Sequence, residues 1–264
     1  MGMVLLQFAG FFAFILVTGY LLPAGQFYLL GRRHPDRIQA AKPRPGQIAR
    51  EVRLSILSVA IFAAGCTGLW HMYLAGWTNI YLDRRQYFFG YGILSILLCL
   101  VLHDTFFYWS HRLMHLPMFF KHSHAGHHKS VTPTAWASFA FQPAEAVIQF
   151  VGFALIVIFL PLHPLALLAF LAIDTFINTA GHCGYEIAPR WLLRQKFFRI
   201  FSTVTSHDAH HTNMRVNFGS FFNIWDRLCG TYNSGLKEAE VAAPTERAPA
   251  PRPHARLPQT ASRR

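Results

Sequence analysis

Charge is scarce in this chain: 14% of its 264 residues are Asp, Glu, Lys or Arg, against roughly 25% in an ordinary soluble domain. Acid is the scarcer sign, with 12 Asp and Glu against 24 Lys and Arg. Cysteine is also rare. The four, Cys66, Cys99, Cys183 and Cys229, form no C-x-x-C pair, which leaves nothing to support a thiolate zinc site or a disulfide framework. His-Glu-x-x-His is absent, so the zinc metalloprotease pattern is excluded.

What fills the chain instead is apolar: 53% hydrophobic residues and a mean hydropathy of +0.27. Met3 to Leu22 is an almost unbroken run of the length that crosses a bilayer, and without the basic start and small-residue cleavage site of a secretory signal it reads as a retained span. Further runs cover Leu54 to about Trp77, about Gly90 to Trp109, Ala144 to Leu160, and Leu165 to about Ala180. The last two are joined by Pro161-Leu-His163-Pro164 alone, as a helical hairpin. The expectation is an all-α, polytopic helical membrane protein with four spans, or four plus a re-entrant hairpin.

The segment Gly31 to Arg53 carries Arg32, Arg33, Arg37, Lys42, Arg44, Arg50 and Arg53 against Asp36 and Glu51. The positive-inside rule makes that loop cytoplasmic, and alternation of spans then puts every histidine motif and the C-terminal tail on the same side, as a cytoplasmic histidine-rich helical cap. The net charge of +12 gathers beside spans, where orientation and anionic headgroups account for it, so nucleic acid is not an expected partner. Residues 1–99 read as N-terminal spans with a basic loop and 100–235 as a catalytic domain. Residues 236–264, rich in Pro, Ala and Arg without apolar periodicity, read as a disordered tail dispensable for catalysis.

Histidine is the residue in surplus, with 15 copies. The spacing His-x-x-His-His occurs twice, at His124, His127, His128 and at His207, His210, His211, with His111 and His115 upstream. On a helix, positions i, i+3 and i+4 share a face, so their imidazoles can converge on metal. Asp104, Tyr108, His111 and His115 form one helical stripe. An acid at the end of a span is costly unless paired, and Asp104 is expected to accept the outer N–H of a metal-bound imidazole, with direct ligation or a helix cap as its other readings. Asp174, Asn178 and His182 repeat the device at i, i+4 and i+8; His182 is expected to ligate and Asn178 to orient it. His103 lies about 100° off the Asp104 stripe and reads as structural. His122 is a weak candidate, and His34, His71, His163 and His254 are set aside. Nine candidates exceed one four-coordinate ion and suit two metals in five or six coordination. Neutral imidazoles suit iron, and two irons beside a bilayer can activate oxygen to break a C–H bond of a membrane-soluble substrate.

These residues, with His182-x-Gly184-Tyr185-Glu186, Asn217-Phe218-Gly219 and Trp225-Asp226-x-Leu228-x-Gly230-Thr231, resemble the fatty acid hydroxylase superfamily, also called the sterol desaturase family, over about residues 100 to 232. The resemblance implies a membrane oxidoreductase with a di-iron centre ligated by His111, His115, His124, His127, His128, His182, His207, His210 and His211. Such an enzyme takes O2 as co-substrate and two electrons from an external donor, cytochrome b5-like, ferredoxin or a similar reductase, to hydroxylate or desaturate a lipid. No fused haem domain is expected. Two departures stand out: members commonly place His before Pro-x-Glu where this chain has Gln142-Pro143-Ala144-Glu145, and some fatty acid hydroxylases have His where Asn178 stands. A sterol-like substrate is therefore preferred, with a carotenoid or an acyl lipid as alternatives. A membrane metal transporter is the reading from another class; it would place its polar ligands near mid-membrane, whereas these motifs cluster past one end of the spans.

Overall fold

The computed structural model describes residues 1–34, 37–39 and 41–234. The expected disordered tail, 236–264, and His254 lie outside the described residues. Gly2–Phe14 (α1), a π-helical stretch Ile15–Leu21 and Leu22–Arg33 (α2) run on as one 32-residue apolar helix, longer than the 3–22 run. Pro23 cannot donate a helical hydrogen bond, and the wide turn before it accommodates the loss. Gln47–Leu74 (α3) and Tyr91–Met114 (α4) each follow a glycine in the left-handed region, Gly46 at φ 75° and Gly90 at φ 95°, a backbone that disfavours any residue with a Cβ.

Pro117–Ser123 (α5), Ala125–His128 (α6), Pro143–Phe159 (α7), Pro164–Gly181 (α8), Arg190–Leu193 (α9), Val204–Thr212 (α10) and Ile224–Leu228 (α11) complete the order. Proline opens α5, α7 and α8, where its missing N–H costs nothing. The chain is all-α as expected, with no strand among the described residues beyond two isolated bridges. Four helices are long and apolar enough to cross a membrane: Gly2–Arg33, α3, α4 and α8. The 17 residues of α7 rise about 26 Å, short of the roughly 30 Å hydrocarbon core. Helices α3 and α4 also overrun their apolar windows, because polar stripes continue each helix at the histidine end.

The bundle has two distinct ends. At one, Tyr81 N–H donates to Leu162 O at 3.0 Å and Tyr91 Oη to Pro161 O at 3.1 Å, which ties the α3–α4 connection to the α7–α8 hairpin. At the other lie the start of α3 and the ends of α2, α4 and α8, beneath the segments 115–142 and 182–234. Buried Glu51 of α3 accepts from Gln47 Nε2, Ser130 Oγ and Thr134 Oγ1 at 2.8, 2.7 and 2.5 Å. Three donors are what an otherwise costly buried carboxylate needs, and this one clamps the loop after α6 onto the bundle. Helix α7 packs through small residues: the missing Cβ of Gly152 makes room for Phe106 of α4, and that of Gly65 in α3 for Phe150 of α7.

Candidate metal centre

The nine histidines named from the sequence meet at the end of α4 and α8, in two groups. His111, His115, His124, His128 and His210 form one; His127, His182, His207 and His211 form the other, and within each group the ligand atoms lie within 4.8 Å of one another. Both His-x-x-His-His motifs are divided by one rule. Residues i and i+4, at 40° around the helix, share a group, and i+3 joins the other. His124 and His128 thus go with the i, i+4 pair His111 and His115, while His127 crosses over; His207 and His211 stay together and His210 crosses back. The sequence reading had each motif converge on a common cluster and did not foresee the division.

Local structure sets each motif. Leu116 and Pro117 start α5, and the chain breaks at His124 (φ −133°) before the single turn of α6. Gln142 Oε1 accepts the Gly126 N–H at 2.7 Å, and a Cβ on Gly126 would meet Gln142 Cγ at 2.7 Å. The departure Gln142 therefore braces α6. Helix α10 begins with a capping box between Thr203 and Ser206, and Gln39 donates to Asp208 Oδ1 at 2.8 Å on its outer side.

The groups are closed by Nε2-to-Nε2 approaches: 2.9 Å for His111–His124, 3.3 Å for His111–His115, 3.2 Å for His115–His128 and 3.1 Å for His128–His210. In the second, His127–His182, His182–His207 and His207–His211 are 3.3, 3.1 and 3.2 Å apart. Four of the outer nitrogens are committed elsewhere. His111 Nδ1 donates to Phe218 O at 2.9 Å, His182 Nδ1 to Asn178 O at 2.7 Å and His210 Nδ1 to Val216 O at 2.6 Å, while His124 Nδ1 lies 2.7 Å from Glu145 Oε1. A proton on Nδ1 leaves Nε2 as a bare lone pair. Lone pairs turned on one another at about 3 Å repel unless a cation lies among them. A metal–nitrogen bond of about 2.1 Å sets neighbouring ligand nitrogens about 3.0–3.4 Å apart, so the donor sets fit one metal ion each.

Electrostatics agree. Burial holds the imidazoles of His124, His127, His128, His207 and His211 below the ordinary histidine range, and the neighbouring imidazoles add to the effect. Burial brings His115 to about 3, and His182 and His210 to about 4 despite their backbone partners. At neutral pH every one of these rings is uncharged and free of competition from protons.

Asp104 is placed differently from its expected pairing with an imidazole. Its Oδ1 accepts the backbone N–H groups of Ser220, Phe221 and Phe222 at 3.0, 2.7 and 3.1 Å. It fixes the 218–222 turn, and with it the Phe218 carbonyl on His111. Asp226 supports that turn from the other side, accepting from Phe218 N and Gly219 N, both at 2.9 Å. Asn178 orients His182 through its main-chain carbonyl, and its amide donates to Ser138 O at 2.7 Å. His122 is exposed and outside both groups. The reading gave no role to Glu145, although an acid in the first turn of an apolar helix was its signal. The reading gave no role to the carbonyls of Val216 and Phe218, although the Asn217-Phe218-Gly219 motif marked their turn.

Comparison with known proteins bears on the whole arrangement. The fatty acid hydroxylase family model matches residues 96–231. The chain is 27% identical over 241 residues to a Delta(7)-sterol 5(6)-desaturase of Gibberella zeae, which covers 89% of this chain and 70% of the relative. It is 28% identical over 203 residues to lathosterol oxidase of Rattus norvegicus, at 76% of this chain and 64% of the relative. It is 30% identical over 220 residues to a Delta(7)-sterol 5(6)-desaturase of Leptosphaeria maculans, at 82% of this chain and 58% of the relative. The chain thus spans about two thirds of the length of these relatives, and no solved structure gives a significant match. With its match running from mid-α4 through the last histidine motif, the chain belongs to the fatty acid hydroxylase family.

Proposed function

We propose that this protein is an integral membrane oxidoreductase that holds two iron ions, one in each histidine group, and uses O2 to hydroxylate or desaturate a sterol-like lipid. The observation that carries the proposal is the pair of converging nitrogen sets, five and four imidazoles, in place of one set. Iron bound there would supply the ability to activate O2 against an unactivated C–H bond. The ligands would be His111, His115, His124, His128 and His210 for one ion and His127, His182, His207 and His211 for the other.

The chain's own part is to hold those rings and keep the site dry. Phe218 O, Val216 O, Asn178 O and Glu145 fix which nitrogen of four rings faces inward. Asp104 acts as a positioning residue through the 218–222 turn. Burial of nearly all nine rings excludes bulk water. A lipid would arrive from the spans below, since α4 and α8 deliver His111 and His182 from within the membrane-spanning part.

Charge supports the sidedness. Among the described residues, the only Lys or Arg at the end opposite the histidines are Arg84 and Arg85; all others lie at the histidine end. By the positive-inside rule that end, with its catalytic segment 100–235 and the following tail, is cytoplasmic, where a cytochrome b5-like protein, ferredoxin or similar reductase can deliver electrons. The sterol-desaturase names of the relatives support a sterol over a carotenoid or an acyl lipid.

The test is turnover in proteoliposomes with iron, an electron donor and NADPH, offered a Δ7-sterol, a carotenoid and a phospholipid, with products identified by mass spectrometry. The expected result is a desaturated or hydroxylated sterol that requires O2 and disappears in the His124→Ala, His207→Ala double variant. Product from the acyl lipid alone would overturn the substrate assignment, and no oxygen-dependent product at all would overturn the oxidase assignment.

A further inference from the structure

Two ionisable side chains inside the spans remain outside the metal centre. His103 of α4 and Asp174 of α8 face each other with Nδ1 and Oδ1 3.9 Å apart. That is too long for a hydrogen bond. His103 Nδ1 is buried with no hydrogen-bond partner, and among the described residues no hydrogen bond reaches the Asp174 carboxylate. Ionisable groups in a span are expensive and are retained where they serve a partner or a ligand. Atoms 3.9 Å apart can both lie within hydrogen-bond distance of a single intervening oxygen, and a polar contact of this length is one that a third group bridges.

The surroundings define the third group. Asp174 continues the inward stripe of α8 through Ala166 and Phe170, both buried, whereas Leu165, Leu168 and Phe176 on the outer face are exposed. Yet the Asp174 side chain is 25% exposed and that of His103 12%. The inward stripe is therefore only partly covered at Asp174, where α4 and α8 pack together. The surroundings of the pair are aromatic: the His103 ring rests against Phe107, Phe170 and Phe221 with centroids 6.3, 5.6 and 5.4 Å away. An apolar site with one placed polar pair is how a small lipid is oriented.

Its position relative to the metal centre is fixed by the helices. His103 and Asp174 each precede a candidate ligand, His111 and His182, by eight residues, about 12 Å of helical rise on the membrane side. The Phe107 ring touches both, 6.3 Å from His103 and 5.1 Å from His111. We propose that His103 and Asp174 form the recognition site for the hydroxyl group of the lipid substrate, the hydroxyl accepting from His103 Nδ1 and donating to Asp174. This inference rests on the lipid-oxidase reading above and deepens it. A rigid polycyclic alcohol anchored there by its hydroxyl would meet the histidines, about 12 Å away along the helices, with carbons well along its frame, so the pair sets which carbon is oxidised.

Binding, without turnover, tests it. Iron-loaded protein in nanodiscs is titrated with cholestanol and with its parent hydrocarbon cholestane, for wild type, His103→Leu and Asp174→Leu, and metal content is measured on each sample. Wild type is expected to prefer the alcohol by at least about tenfold; both variants should lose that preference while keeping their iron and their affinity for cholestane. Should either leucine variant fail to fold, His103→Phe and Asp174→Asn make the same comparison. A wild-type protein that does not distinguish the two ligands, or variants that retain the full preference, would overturn the proposal. Because no oxidation is involved, failure here is separable from failure of the oxidase reading, which metal content and product formation decide.

Discussion

Glu145 illustrates how one side chain governs a cluster. Its carboxylate lies 2.7 Å from His124 Nδ1 and is buried with it, so it favours the proton on Nδ1 and the lone pair on Nε2. Glu145→Gln keeps the shape and removes the charge. Metal affinity of the five-histidine group should fall by about 10–100-fold, with the four-histidine group unaffected, as read by metal retained during graded chelation; equal loss from both would contradict the division. For Asp104, three backbone N–H groups lose their acceptor in Asp104→Ala. The cost should be at least about 2 kcal/mol of stability, measured by denaturant unfolding in detergent, and an unchanged midpoint would refute the positioning role. At this scale the sequence was legible where chemistry is carried by a side chain with a spacing, as for the nine histidines. It was silent where main-chain carbonyls of Val216 and Phe218 do the orienting, because any residue supplies a carbonyl and only the turn decides where it points.

Helices α4, α7 and α10 show what element-scale reading gains and loses. Hydrophobic runs located every span, but their ends were misjudged, since Asp104 to His115 and Gln47 to Glu51 extend α4 and α3 with polar stripes that satisfy partners in the cap. Helical spacing identified the motifs, yet the 40° separation of i and i+4 against the opposite offset of i+3 matters only when two clusters flank one helix, and that juxtaposition is tertiary. The packing of α7 is equally tertiary: Gly152 and Gly65 are ordinary apolar positions in the sequence, and each admits an aromatic ring. Gly152→Ala should lower stability by about 1–3 kcal/mol through overpacking against Phe106, and Phe106→Leu in the same chain should restore part of it. Thermal unfolding in detergent reads both; an additive loss would deny the contact.

For the whole molecule, the histidine end is a polar cap built on an apolar bundle, and its stability depends on keeping the imidazoles neutral. Their pKa values in the folded state are depressed, to about 4 for His182 and His210, against about 6.5 in an unfolded chain. The unfolded chain therefore binds more protons as pH falls, so stability is full above about 6.5 and is lost progressively toward 4. Metal-free protein should show a melting temperature that falls over that window, and bound metal should be released over it as protons compete for the ligands. A flat profile would show that the rings are not buried as described. The bundle was readable from apolar length; the pairing of His103 with Asp174 was not, because His103 is off the ligand stripe and only the approach of α8 gives it a partner.

The central claim is that two metal ions occupy two histidine groups. Protein purified in mild detergent from iron-supplemented cells, analysed for iron and zinc per chain beside the His124→Ala, His207→Ala double variant, tests it most directly. The account predicts about two irons per chain in the native protein and their loss in the variant, in keeping with one ion per donor set. One tightly bound zinc per chain, or no metal at all, would contradict it.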